Sequence, residues 1–233
     1  MLIQYLGIVD TLEYLLQMDK LDDYDDESLN WASEKGHVNV LDWWFKSGLP
    51  LKYSTKALEW ASKCGHVNVL EWWLNSKLPL EYDKWALNEA SRNSHVDVLE
   101  WWLKSGLELK YDEEALELYD GQSSVLVLEW WIKSGLELKY NENALEKASQ
   151  NGCVCILEWW LKSGLKLKYN EWALDSASHR GHTHVLEWWK NSGLELKYNS
   201  YDVLTKGFND DDREFTQSLE WWKNSGLPLK YSE

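Results

Sequence analysis

One short segment, Val67-Asn68-Val69-Leu70-Glu71-Trp72-Trp73, recurs from one end of the chain to the other and limits what the chain can fold into. The acidic residue ahead of its aromatic pair stands at Glu13, Asp42, Glu71, Glu100, Glu129, Glu158, Glu187 and Glu220, which gives six intervals of 29 residues and a last one of 33. A constant period of that size belongs to repeat architectures, in which each unit buries its apolar face only against its neighbours. Placed at about 100° per residue, Asn68, Glu71 and Asn75 share a polar arc, while Val67, Val69, Leu70, Trp73 and Leu74 sweep through the rest. Trp73 falls near the middle of the apolar arc and Trp72 at its edge. A helix buried over that much of its circumference is expected to lie between copies of itself, with a second helix covering another side.

The remaining sequence of each unit supplies that second helix and its punctuation. In the second full unit Ser54 stands where a helix would be capped, ahead of Ala57-Leu58-Glu59-Trp60-Ala61-Ser62, and Asp83, Asp112, Asn141, Asn170 and Asn199 hold the same place elsewhere. Gly65-His66 ends this helix, with Gly36 and Gly181 in register, because a glycine supplies the left-handed backbone that a reversal needs. The Val67 helix follows at once and gives way to Ser-Gly. A finger such as Leu107-Glu108-Leu109-Lys110-Tyr111 then alternates apolar with polar residues, like a short strand.

The pattern Ala57-Leu58-x-x-Ala61-Ser62-x-x-Gly65-His66-Val67-x-Val69-Leu70, with Ser-Gly-Leu following in neighbouring units, resembles an ankyrin repeat over nearly the whole chain. It departs from that family in its 29-residue period, in lacking a Thr-Pro-Leu-His box, and in carrying Trp-Trp where the family has leucines. The shortening falls between Gly48 and Ala57, so an extended loop is expected in place of the family's β-hairpin. The expected fold is mostly α: a helical-repeat solenoid of about eight stacked helix-turn-helix units with short extended fingers. It reads as one elongated domain over 1–233, with a worn first unit at 1–25, full units from about 26, and an irregular last unit at 200–233. The fifth unit breaks the pattern with Tyr119-Asp120-Gly121 and is expected to be the softest joint.

Composition narrows the function. With 39 acidic against 24 basic residues and a net charge of −15, no basic stripe is available for phosphate, which argues against nucleic acid. No apolar run approaches a membrane span. Met1 to Val9 lacks the positive segment of a signal peptide and reads as the worn first unit. Three cysteines, Cys64, Cys153 and Cys155, are odd in number and lie in helical pattern, consistent with a reducing, cytoplasmic setting. Cys155 is read as a small buried thiol in the place of Val69 or Val98. Fourteen of the 18 tryptophans lie in seven Trp-Trp pairs, so their number follows from copying one core unit and calls for no cofactor.

Candidate chemistry is sparse. His179, His182 and His184 form a H-x-x-H-x-H cluster of the residue type that zinc prefers. His182, however, is the repeat's own Gly-His position, and a helix end separates it from His179, so a turn is the expected reading and no metal or cofactor is assigned. No nucleophile triad, phosphate loop or paired carboxylate can be built, and no enzymatic activity is expected. The resemblance implies a protein-interaction scaffold; an aromatic-rich groove binding a ligand such as a carbohydrate is the alternative. Trp31, Trp60, Trp85 and Trp172 lie outside the pairs. Trp31 and Trp60 fall at about 300° of the first helix, and Trp85, Trp172 and Tyr201 near 260°. With Glu59, Glu89, Glu117, Glu146 and Asp175 around them, these residues form the expected contact face for a partner protein that is basic and carries apolar anchors. Packing of the same rings on an adjacent finger is the competing expectation.

Overall fold

A computed structural model describes residues 9–21, 24–199 and 213–229. The chain forms two compact units, Met1–Ala115 and Leu116–Glu233. In the first, α1 (Val9–Gln17) is followed by three helix pairs: α2 (Glu27–Glu34) with α3 (Val38–Lys46), α4 (Lys56–Lys63) with α5 (Val67–Ser76), and α6 (Trp85–Arg92) with α7 (Val96–Lys104). First helices pack on first helices (α2 on α4, α4 on α6) and second helices on second helices (α1 on α3, α3 on α5, α5 on α7). The second unit holds α8 (Gly121–Ser134), the pairs α9 (Asn143–Gln150) with α10 (Val154–Lys162) and α11 (Trp172–His179) with α12 (Thr183–Asn191), and α13 (Arg213–Asn224). Its neighbours pack in the same way, α9 on α11 and α8 on α10.

The layers follow from side-chain size. Ala57, Leu58, Ala61 and Ser62 are all fully buried, and such small residues let first helices approach closely. The second helices fill the wider space with indoles: Trp44, Trp73 and Trp102 are fully buried in the first unit, and Trp160, Trp189 and Trp222 in the second. The preceding tryptophan of each pair stays at the rim and meets its partner edge to face, with ring centroids 5.1 Å apart for Trp72 and Trp73.

Neither indole is merely apolar. The deep one donates Nε1–H to the core serine of the preceding repeat, as Trp73 does to Ser33 Oγ (2.9 Å) and Trp102 to Ser62 Oγ (3.0 Å). The rim indole donates to the preceding repeat's acid: Trp43 to Glu13 (2.6 Å), Trp72 to Asp42 (2.7 Å) and Trp101 to Glu71 (2.7 Å). In the second unit Trp189 reaches Ser149 and Trp222 reaches Ser178, while Trp159, Trp188 and Trp221 reach Glu129, Glu158 and Glu187. Trp160 is the exception in this unit. Its Nε1 is buried without a hydrogen-bond partner, and the residue in the serine's register is Asp120, which is exposed at the start of α8.

Helix ends carry their own solutions. Ser47, Ser76 and Ser105 each donate Oγ–H to the carbonyl of the deep tryptophan three residues back and accept the N–H of the leucine two residues on, which explains the Ser-x-Leu exit. Gly65 has φ +77°, and a Cβ there would meet the His95 imidazole at 2.8 Å, so both the turn and the neighbouring ring require glycine. Lys77 and Ser94 hold the same left-handed conformation without being glycine, at φ 59° and 61°. The expected caps are displaced by one residue: the helices start after Thr55, Lys84, Glu142 and Glu171. Asp83, Asn141 and Asn170 still accept a first-turn N–H, from Trp85, Asn143 and Trp172.

No strand occurs among the described residues, and the fingers are extended loops. Side chains link them in place of a backbone ladder. Tyr24, Tyr53 and Tyr82 donate Oη–H to the carbonyls of Pro50, Pro79 and Glu108 on the following finger, and Tyr140 and Tyr169 do the same to Lys166 and Glu195. The irregular fifth repeat is also visible. Where a first helix is expected, Glu113–Leu116 forms only a 3-10 turn, and α8 begins early at Gly121.

Candidate partner-binding face

In the first unit the outer face of the first helices carries Trp31, Trp60 and Trp85, all half-buried. Cations of the chain itself lie on two of these rings. Lys56 Nζ is 5.3 Å from the Trp60 centroid, and Trp85 has Lys84 Nζ at 4.8 Å and Arg92 Cζ at 5.9 Å. Arg92 is held in turn by Glu89 (3.3 Å) and Glu114 (3.0 Å), and Lys84 pairs with Asp112. Trp85 is therefore anchored in a charged network, with part of its ring left to solvent.

Glu59 stands among other acids. Burial raises its carboxyl above the usual range, and the carboxylates of Asp83 and Glu89 raise it further, against the weaker pull of Lys63 and Lys56. Its register explains this. The equivalent Asn30 and Asn88 are fully buried and clasp the next finger: Asn30 Nδ2 donates to Ser54 Oγ at 2.9 Å, and Asn88 Nδ2 to Asp112 Oδ1 at 2.7 Å. At Glu59 this clasp position faces Asp83, so two anions meet where the other joints pair an amide with an oxygen.

The same register corrects two expectations in the second unit. Glu117 is 5% exposed and accepts Asn143 Nδ2 at 2.9 Å, and Asp175 is 1% exposed and accepts the Asn199 N–H at 3.2 Å. Both turn inward to hold the following segment and do not belong to an exposed face. Polarity on the helical wheel pointed them outward; the signal for the clasp was their constant 24-residue spacing to the cap residues, with Asn at two of the equivalent sites. Glu146 is half-buried, and desolvation raises its carboxyl. Trp172 is the most open of the tryptophans outside the pairs, at 44% exposure. Tyr201 lies outside the described residues.

His179 ends α11, His182 precedes α12 and His184 lies in its first turn. His182 Nε2 is 3.1 Å from the Gln150 carbonyl and His184 Nε2 is 3.0 Å from that of Gly152, both on the preceding turn. Among the described residues no cluster of three or more His, Cys, Asp or Glu is arranged to hold a metal ion. Cys153 is buried in the place of His66 and His95, and its Sγ lies 3.1 Å from the Tyr119 carbonyl. The structure corrects the register of Cys155: Ile156 fills the valine position, fully buried, while Cys155 matches Asn68 and is half-exposed.

No family model matches the chain, and no curated protein matches it. Among solved structures, the human ASB11 ankyrin repeat domain is similar, with 15% identity over 94% of this chain and 95% of that one, at a TM-score of 0.42. The chain's own geometry decides its architecture: a short helix, a left-handed glycine turn, a longer returning helix and an extended finger, repeated in register. The fold is a helical repeat of helix-turn-helix units joined by extended fingers. Within this repeat the recurring Trp-Trp pair is an inter-repeat staple, and no helix among the described residues is long and apolar enough to cross a membrane.

Proposed function

We propose that this chain is a protein-protein interaction scaffold without catalytic chemistry of its own, working as a single array over 1–233 in a reducing, cytoplasmic setting. Its contact face is the exposed surface of the first helices and fingers: Trp31, Trp60 and Trp85 with Glu59 and Glu89 in the first unit, and Trp172 with Glu146 in the second. The partner is a protein with a basic surface and apolar anchors. The observation that carries this reading is the position of Glu59, half-buried beside Asp83 and Glu89 and next in sequence to Trp60. The Glu59 and Asp83 carboxylates repel each other in the folded chain, and a cationic partner would relieve them while Trp60 supplies apolar area. Capture of a partner by the full chain, followed by titration with Trp60→Ala and Trp85→Ala, tests the face. Each change should weaken binding by about 1–4 kcal/mol, with the helix content intact. Binding should also weaken as salt rises. Unchanged affinity in both variants refutes the assignment.

A further inference from the structure

The fingers repeat a second motif, in which a lysine covers the tyrosine of the preceding finger. Lys52 Nζ lies 4.7 Å from the Tyr24 centroid and donates to the Tyr24 carbonyl at 2.8 Å. Lys110 treats Tyr82 in the same way, at 4.6 and 3.4 Å. In the second unit Lys168 covers Tyr140 at 4.4 and 2.7 Å, and Lys197 covers Tyr169 at 4.7 and 3.3 Å. Each ammonium thus receives a π face and a carbonyl oxygen together. At Tyr53 the series breaks, because the residue in the lysine's register is Glu81. Among the described residues no cation lies over the Tyr53 ring, and the exposed Glu81 carboxylate is close enough to add to the burial that raises the Tyr53 phenol.

A groove of about 670 Å³ opens at this joint, lined among others by Tyr24, Asp25, Asp26, Lys52, Tyr53 and Glu81. Three carboxylates line it against one ammonium, and that ammonium is already engaged with Tyr24. We propose that Tyr53 and Glu81 form a docking site for a lysine side chain of the partner protein, whose ammonium takes the place that the chain's own lysine fills at the joints of Tyr24, Tyr82, Tyr140 and Tyr169. Glu81 supplies a counter-charge that those joints lack, and the tyrosine ring packs against the lysine stem. The site rests on the scaffold reading above and names one contact residue of the partner.

The test is an NMR titration of the full chain with N-acetyl-lysine methylamide, reading the Tyr53 ring against the Tyr82 ring. Saturable shifts are expected at Tyr53 and not at Tyr82, and the norleucine analogue, which lacks the ammonium, should leave both unmoved. Glu81→Gln should weaken the response by up to about fivefold, on the scale of one exposed ion pair. Glu81→Lys restores the repeat's own pattern, should fold with at least the parent's Tm, and should abolish the Tyr53 response by filling the site from within. No shift at Tyr53, or an unchanged response in a folded Glu81→Lys variant, overturns the proposal. A captured partner that is lost by Trp60→Ala but kept by Glu81→Lys overturns this site and leaves the scaffold reading standing. An intact Tyr53 response with no protein partner overturns the scaffold reading alone.

Discussion

Ser62→Ala isolates the buried half of the inter-repeat staple. Ser62 and Trp102 are both fully buried, and their hydrogen bond of 3.0 Å joins α4 to α7 across one repeat boundary. Removing the hydroxyl leaves the indole N–H of Trp102 in a place water does not reach, a loss of about 1–3 kcal/mol. Alanine is the better helix former and returns up to roughly 0.5 kcal/mol. The expected net destabilisation is therefore about 0.5–2.5 kcal/mol, and each kcal/mol lowers the Tm of a body near 100 residues by roughly 4–8 °C. Urea unfolding gives the stability, and hydrogen exchange at the Trp102 indole assigns the loss to this bond. Glu71→Ala, which removes an exposed acceptor from the Trp101 indole at the rim of the pair, should cost less than Ser62→Ala. A Ser62→Ala variant within about 0.5 kcal/mol of the parent, the scatter of a neutral surface change, would show that the buried bond contributes nothing.

Three further outcomes follow from the joints. Gly65→Ala should destabilise more than Gly106→Ala: both force a side chain into left-handed backbone, but only at Gly65 does the new Cβ meet a ring, and pairing Gly65→Ala with His95→Ala should recover the difference in thermal melts. Glu59→Gln should stabilise the first unit at pH 7. Its folded carboxyl titrates above the ordinary value of about 4.3, so its contribution is present below that value and lost as pH rises through the raised one. Melts at pH 4 should therefore show little difference between variant and parent, and a constant difference across pH would refute the assignment. Amide exchange should be faster over residues 115–124 than over 57–66, since a 3-10 turn replaces a helix there; equal protection would remove the fifth repeat as the soft joint.

The helix pairs were legible because their signals are local and repeated. Periodicity placed Trp73 in the core and Trp72 at its edge, and Gly65 marked the turn. What periodicity alone does not carry is where a polar side chain finds its partner. Glu71, Glu100 and their equivalents read as solvent-facing acids, yet Glu71 accepts an indole N–H from the next repeat. Ser62 read as a small core residue, with nothing in its own helix to reveal the tryptophan it serves. Glu117 and Asp175 read as outward charges because a helical wheel treats polarity as exposure, whereas a neighbouring unit can bury a carboxylate and satisfy it. For the tryptophan staples the spacing is constant within the 29-residue units, 30 residues to the rim acid and 40 to the core serine, so the bond is written between repeats and not within any one helix.

The tryptophan staples have a direction. In each unit the donor sits on the later repeat and the acceptor on the earlier one, for Trp73 to Ser33 and Trp72 to Asp42 as for their copies. Trimming repeats from the amino-terminal side therefore leaves indole donors without their acceptors, and the departing repeat opens them to water. Trimming from the carboxy-terminal side strands only hydroxyl and carboxylate acceptors, which become exposed to water as the covering repeat leaves. The two ends of such an array are therefore chemically unlike: one presents indole donors, the other hydroxyl and carboxylate acceptors.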